Sequence, residues 1–124
     1  MEDEAATLEG QYFEFAKLFD TKRDGTTITL YRNDYWMRQS KILDDRKLTM
    51  TDTGLAWWKF SKTELNYDEW YEVLTDVCAV RELNQEAVEL AMTNCGIPGS
   101  SQVIVPEYKL FYDTYKPKML VIAD

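Results

Sequence analysis

Histidine is absent from this chain of 124 residues, and cysteine, proline and glycine are scarce, at two, three and five. Without histidine the chain lacks the commonest general base at neutral pH and a frequent zinc ligand. Two cysteines are too few for a disulfide framework. Cys78 and Cys95 both fall on helical patterns among apolar neighbours, with no base beside them to activate a thiolate. They read as small buried hydrophobes in a reduced, intracellular protein. No glycine-rich phosphate loop is present. Positive charge is also short: 14 Lys and Arg face 22 Asp and Glu, a net charge of −8. That sign is opposite to what nucleic acid and anionic membrane surfaces select. No window approaches the roughly 18 consecutive apolar residues of a membrane span, and the Met1-Glu2-Asp3-Glu4 opening is unlike a signal peptide. The expectation is therefore no enzyme, no cofactor, no metal, and neither nucleic acid nor membrane as partner.

Apolar side chains are plentiful, at 45%, including four Trp, eight Tyr and five Phe. A chain of this size and composition can bury a core as one domain. Residues 1–6 form an acidic tip. Helical spacing then predicts five helices within residues 7–97, followed by an extension at 98–124. The first runs over 7–19 with Leu8, Tyr12, Phe15, Leu18 and Phe19 on one face, and the turn-forming DTKRDG at 20–25 stops it. TTITL at 26–30 is β-branched and extended. Asn33 or Asp34 caps the second helix, which runs to about Ile42, and Thr51 or Asp52 caps the third, which runs to Phe60. Glu64-Leu65 pairs with Ile28 across a two-stranded link. Asn66 caps the fourth helix, with Glu69 three residues on to complete a capping box. Trp70, Val73, Leu74, Val77 and Cys78 give it a wide apolar stripe. Asn84 caps the fifth, whose Ala87, Leu90, Ala91 and Cys95 share a face before Gly96. The fold class is all-α: two EF-hand-like helix–link–helix units, a minimal β link and a C-terminal extension.

The EF-hand pattern lacks its chemistry. Leu65, then Glu69 four residues later, then Trp70, is how a calcium loop runs into its exit helix. With Glu69 at loop position 12, positions 1, 3 and 5 are Trp58, Phe60 and Lys62, none of them a calcium ligand. In the first loop Asp20, Asp24 and Gly25 suit positions 1, 5 and 6, but Lys22 stands at position 3 and Tyr31 at position 12. The two aspartates read as turn caps.

Three pieces, in order, carry a resemblance. They are Phe15-Ala16 with Gly25 following; Leu48-Thr49 and Thr51-Asp52 leading into LAWWKF at 55–60; and LNYDEW at 65–70. This arrangement resembles the tubulin polymerisation-promoting protein family, where the corresponding stretches read FA…G, VTGTDVDIVFSKV and INYEEF. The match runs without a gap from Phe15 to Phe60 and more weakly to about Cys95. It implies a calcium-free EF-hand-like domain and a non-enzymatic protein that binds tubulin or microtubules, stabilising, bundling or decorating them. It also implies a place in the cytoplasm and cytoskeleton, with a cilium or flagellum as one setting. The departures are the acidic balance, where better-known members look basic, and the region 103–116, where only Asp113-Thr114-Tyr115 matches the family's later motifs.

Trp58 stands where the family pattern has Ser, beside Trp57. Neighbouring helical residues point about 100° apart, so one ring of the Trp57-Trp58 pair, and one of Tyr35-Trp36, is expected in the core and the other at the rim. Trp58 is the exposed-aromatic candidate for partner binding. The extension adds Tyr108, Lys109, Tyr112, Tyr115, Lys116 and Lys118, an aromatic segment with the one local positive patch suited to acidic tubulin. The alternative function is a calcium-independent adaptor that takes an amphipathic helix in the groove between the two halves.

Overall fold

The computed structural model describes residues 6–100; residues 1–5 and everything from residue 101 lie outside it. Five helices and one two-stranded antiparallel link follow in order: α1 (Leu8–Ala16), β1 (Ile28–Thr29), α2 (Leu30–Gln39), α3 (Met50–Trp58), β2 (Glu64–Leu65), α4 (Tyr67–Val80) and α5 (Gln85–Thr93). Ile28 pairs with Leu65 and Thr29 with Glu64, as the sequence predicts for the first pair. The fold is all-α with a small β link.

Each helix begins the same way. Thr7, Thr29, Thr49, Asn66 and Asn84 accept a hydrogen bond from the backbone N–H three residues on, satisfying one of the donors a helix start leaves over. Asn66 and Asn84 are the expected caps, and Glu69 completes its box. Two expected caps are wrong. Thr49 caps α3, with Asp52 as the returning carboxylate of a second capping box. Thr29 caps α2, because the chain passes from the β link straight into the helix. Asn33 and Asp34 consequently fall inside α2, where they are buried.

The halves α1–β1–α2 and α3–β2–α4 meet over a slab of three aromatic rings. Phe15 stacks on Trp36 and Trp36 on Trp70, each pair 5.1 Å between centroids and within 13° of parallel. Both indoles also find acceptors: Trp36 Nε1 donates to the Met92 carbonyl at 2.9 Å and Trp70 Nε1 to Asn33 Oδ1 at 2.8 Å. Asn33 in turn donates to Asp34 Oδ1, whose other oxygen accepts from the Thr53 hydroxyl. A buried polar chain fully paired in this way fixes how α2, α3 and α4 sit together, since any slip would orphan a buried group. Tyr12 extends from α1 to the link, donating its hydroxyl to the Leu65 carbonyl at 2.8 Å. Burial, reinforced by the Glu69 charge, pushes that phenol well above its ordinary range.

The α4 stripe is buried as expected. Three other faces differ. α5 turns Val88 and Met92 inward and leaves Ala87 and Leu90 exposed, a rotation set by Met92's carbonyl reaching Trp36. Phe19 lies beyond the end of α1 and is exposed. Tyr35 and Trp36 are both buried, because α2 is flanked by α1, α3 and α5.

Candidate functional site

The first loop is closed by cations drawn from the protein itself. Arg23 donates through Nε to the Ala16 carbonyl at 2.8 Å, and through Nη2 to the Thr27 carbonyl at 3.1 Å and Glu64 Oε1 at 2.8 Å. The guanidinium thus gathers oxygen atoms from the end of α1, the approach to β1, and β2. Asp20 and Asp24 are turned onto their own backbone, accepting from Lys22 N and from Thr26 N and Oγ1. Gly25 keeps φ at 83°, and a Cβ there would lie 2.5 Å from the Phe13 ring, so this turn demands glycine on both counts.

The β pairing also corrects the register read from sequence. Leu65 precedes Glu69 by four residues, and its partner Ile28 precedes Arg32 by four. Arg32, not Tyr31, therefore corresponds to Glu69, and it donates through Nε to the Leu18 carbonyl at 2.8 Å. An arginine stands where a calcium loop carries its bidentate glutamate. In the second loop Glu69 Oε2 pairs with Lys62 and Oε1 accepts from Asn66 N. The Lys62 hydrogen bond, then that backbone donor, hold its carboxyl below the usual range. Glu64 is held low likewise, by the Thr27 hydroxyl and then Arg23. Among the described residues no group of three or more His, Cys, Asp or Glu is placed to hold a metal ion.

The second feature is a set of exposed apolar residues on α3 and at the end of α4, two helices that pack against each other. Trp57 is buried and donates to the Thr63 carbonyl, whereas Trp58, the last residue of α3, is 49% exposed. One ring in the core and one at the rim is what the spacing predicts for this pair. Leu55, one turn before Trp58, is 62% exposed, and Val80 at the end of α4 is 67% exposed. Two ion pairs tie the same helices: Arg81 Nε to Asp52 Oδ2 at 2.9 Å, and Lys59 to Asp76. For Asp52, burial pushes its carboxyl up, but the Arg81 and Thr49 hydrogen bonds outweigh this and the net shift is down. Leu55 and Val80 were not expected here. The Leu55–Trp58 spacing of three was visible in the sequence, but nothing marked which face of a nine-residue helix would be left open.

Of the sequence candidates, only Trp58 lies within the described residues. Tyr108, Lys109, Tyr112, Tyr115, Lys116 and Lys118 lie outside them.

A family model, p25-alpha, matches residues 9–116. The chain belongs to the p25-alpha family. This is the domain of the tubulin polymerisation-promoting proteins, so the resemblance carried by the three motifs is correct. Membership associates the chain with the tubulin and microtubule cytoskeleton in general terms. No individual curated protein matches it. The p25-alpha match takes in the loops closed by Arg23 and Lys62, the Trp58 surface, and the extension as far as Lys116; Lys118 falls just beyond. No helix among the described residues is long and apolar enough to cross a membrane.

Proposed function

We propose that this p25-alpha protein binds tubulin or microtubules without catalysis and without calcium, and that it stabilises, bundles or decorates the lattice as a docked cytoskeletal component. The p25-alpha match across residues 9–116 is the observation that carries the reading. The internal cations support its calcium-independent form. Arg23 and Lys62 supply positive charge in the two loops, where calcium would have to displace guanidinium and ammonium groups already satisfied by protein oxygen.

The mechanism is burial of the Trp58–Leu55–Val80 surface in a groove of the partner, with Tyr108, Lys109, Tyr112, Tyr115, Lys116 and Lys118 adding contacts. Aromatic anchors that are half-exposed in the free protein are the kind of residue that dominates binding energy at interfaces. At a net charge of −8 the chain has no long-range attraction to an acidic partner, so recognition is local and shape-driven. Co-sedimentation with stabilised microtubules, in calcium and then in chelator, tests this. Pelleting that ignores calcium is the expected result. Failure to pellet at any ionic strength would reject tubulin as partner and turn the search to an amphipathic helix taken between the two halves.

A further inference from the structure

The turn after α5 is fastened by two buried glutamines. Gln39 on α2 donates to the Cys95 and Ile97 carbonyls at 3.0 and 2.9 Å, and its Oε1 accepts from Gly99 N at 3.0 Å. Gln11 on α1 donates to the Thr93 and Gly96 carbonyls at 3.2 and 2.9 Å. Gly96 takes φ 91°, and a Cβ there would meet Ser100 Oγ at 2.8 Å. Burying two amides costs desolvation that only full hydrogen bonding offsets, and here the bonding is directed at the end of α5 and the turn after it, mostly at backbone groups, with Cys95 Sγ and Ser100 Oγ as the side-chain acceptors.

Beside that turn lies an open recess of about 360 Å³, lined by Glu14, Lys17, Leu18, Phe19, Thr21 and Pro98. Its one pair of opposite charges, Glu14 and Lys17, is within 3.8 Å, so the recess is close to neutral. Phe19 at its wall is 65% exposed and sits at φ 64°, a left-handed conformation in which bulky residues are outliers. Ile97, on the fastened turn, is more exposed still. The sequence from Ile97 to Pro106 carries no charge, and its first apolar run after the turn is Val103-Ile104-Val105. Three residues beyond Ser100 the chain has travelled at most about 10 Å, so this run stays within reach of the recess that Pro98 lines. The p25-alpha match continues to residue 116, making 101–116 part of the family unit.

We propose that Val103-Ile104-Val105 docks into this recess against Leu18, Phe19 and Pro98, the chain's own segment being its occupant. The β-branched run before Pro106 suits an extended strap. Docking there would launch Tyr108 and the residues after it from the end of α1. This inference does not depend on the identity of the partner.

The test is a double-mutant cycle in the full chain read by thermal melting. Ile104→Asp should lower Tm by about 5 °C or more, while Val121→Asp, in the other apolar run, should leave it nearly unchanged. Phe19→Asn keeps a residue that tolerates the left-handed conformation and removes the recess wall. If strap and recess touch, the double variant Phe19→Asn/Ile104→Asp loses clearly less than the sum of the two single losses. An unchanged melt for Ile104→Asp, additive losses, or an equal fall for Val121→Asp would overturn the proposal. So would a concentration-dependent dimer in sedimentation that Ile104→Asp dissolves, since the occupant would then come from a second copy.

Discussion

Replacing Trp58 by the serine of the family pattern separates an interface residue from a core one, because the ring is half in and half out. An indole buries about 150–250 Å² when enclosed. At 49% exposure, roughly 100 Å² remains for a partner to cover. At about 25 cal/mol per Å² that area is worth about 2.5 kcal/mol, or about a 60-fold change in Kd. The half already packed is worth about half of a full Trp deletion, about 2 kcal/mol of stability. Trp58→Ser should therefore remain folded, melt several degrees lower, and bind microtubules about 60-fold more weakly at a temperature where both proteins are native. Trp70→Ala provides the contrast. It empties the aromatic stack and strips Asn33 Oδ1 of its donor, at about 5 kcal/mol, enough to threaten folding outright. Binding by Trp58→Ser within about twofold of the parent would remove Trp58 from the interface. A melt as damaged as that of Trp70→Ala would place its ring in the core and refute the surface assignment.

The remaining predictions concern loops, protons and helix ends. Calcium titrated calorimetrically into the protein should give no binding heat, and Arg23→Met should not create any; it should instead cost about 2 kcal/mol in urea unfolding, because the Ala16 and Thr27 carbonyls lose a charged donor. Asp24, Asp44, Asp52, Glu64 and Glu69 all have carboxyls lowered in the folded state, so the unfolded chain binds more protons near their ordinary range. Their contribution to stability is present above about pH 4.5 and fades as pH falls through the lowered folded values, and with no histidine Tm should be flat from about pH 5.5 to 8. A transition near pH 6.5 in a melting series would contradict this. Glu82, just past α4, holds φ at 56°, so Glu82→Gly should raise stability by about 0.5 kcal/mol, the relief of left-handed strain less glycine's entropy.

What the sequence made legible, and what it did not, divides by where each helix's neighbours come from. α4 has one open side, so a wide apolar stripe at helical spacing named its buried residues correctly. The Ile28–Leu65 pairing was visible because two short extended stretches each lead into a helix. α2 defeated the same reading: packed by α1, α3 and α5, it buries Asn33, Asp34 and Gln39 alongside Tyr35 and Trp36. Asn33 and Asp34 look like caps until their partners are known, and those partners, like Gln39's, are distant: Trp70 for Asn33, Thr53 for Asp34, the 95–99 turn for Gln39. α5 was read one step around its axis for a related reason, since Leu90 is as apolar as Val88 and Met92 and the small Ala87 and Ala91 suit either face. The first calcium-like loop was misregistered by one residue because Asp20 is an attractive first ligand. The strand pairing, not the ligand count, fixes the alignment.

The distribution of charge determines what salt will do to binding. Among the described residues, three cations on and next to α3 and α4 are committed: Lys59 to Asp76, Arg81 to Asp52, and Lys62 to Glu69. Exposed pairs of this kind contribute about 0–1 kcal/mol to stability, yet each leaves less positive charge to offer an acidic partner. Beyond residue 100 the lysines 109, 116 and 118 are matched in number by Glu107, Asp113 and Asp124, so that segment attracts only over a few ångströms. A contact made by the α3–α4 surface alone should therefore keep its affinity as ionic strength rises through the range where the Debye length shrinks from about 30 to 8 Å. Replacing Lys109, Lys116 and Lys118 together by alanine should abolish whatever salt dependence the parent shows while leaving the salt-independent part intact. If the triple variant instead retains the parent's full salt slope, the attraction to the partner arises in the helical domain, and the assignment of the positive contact to the extension fails.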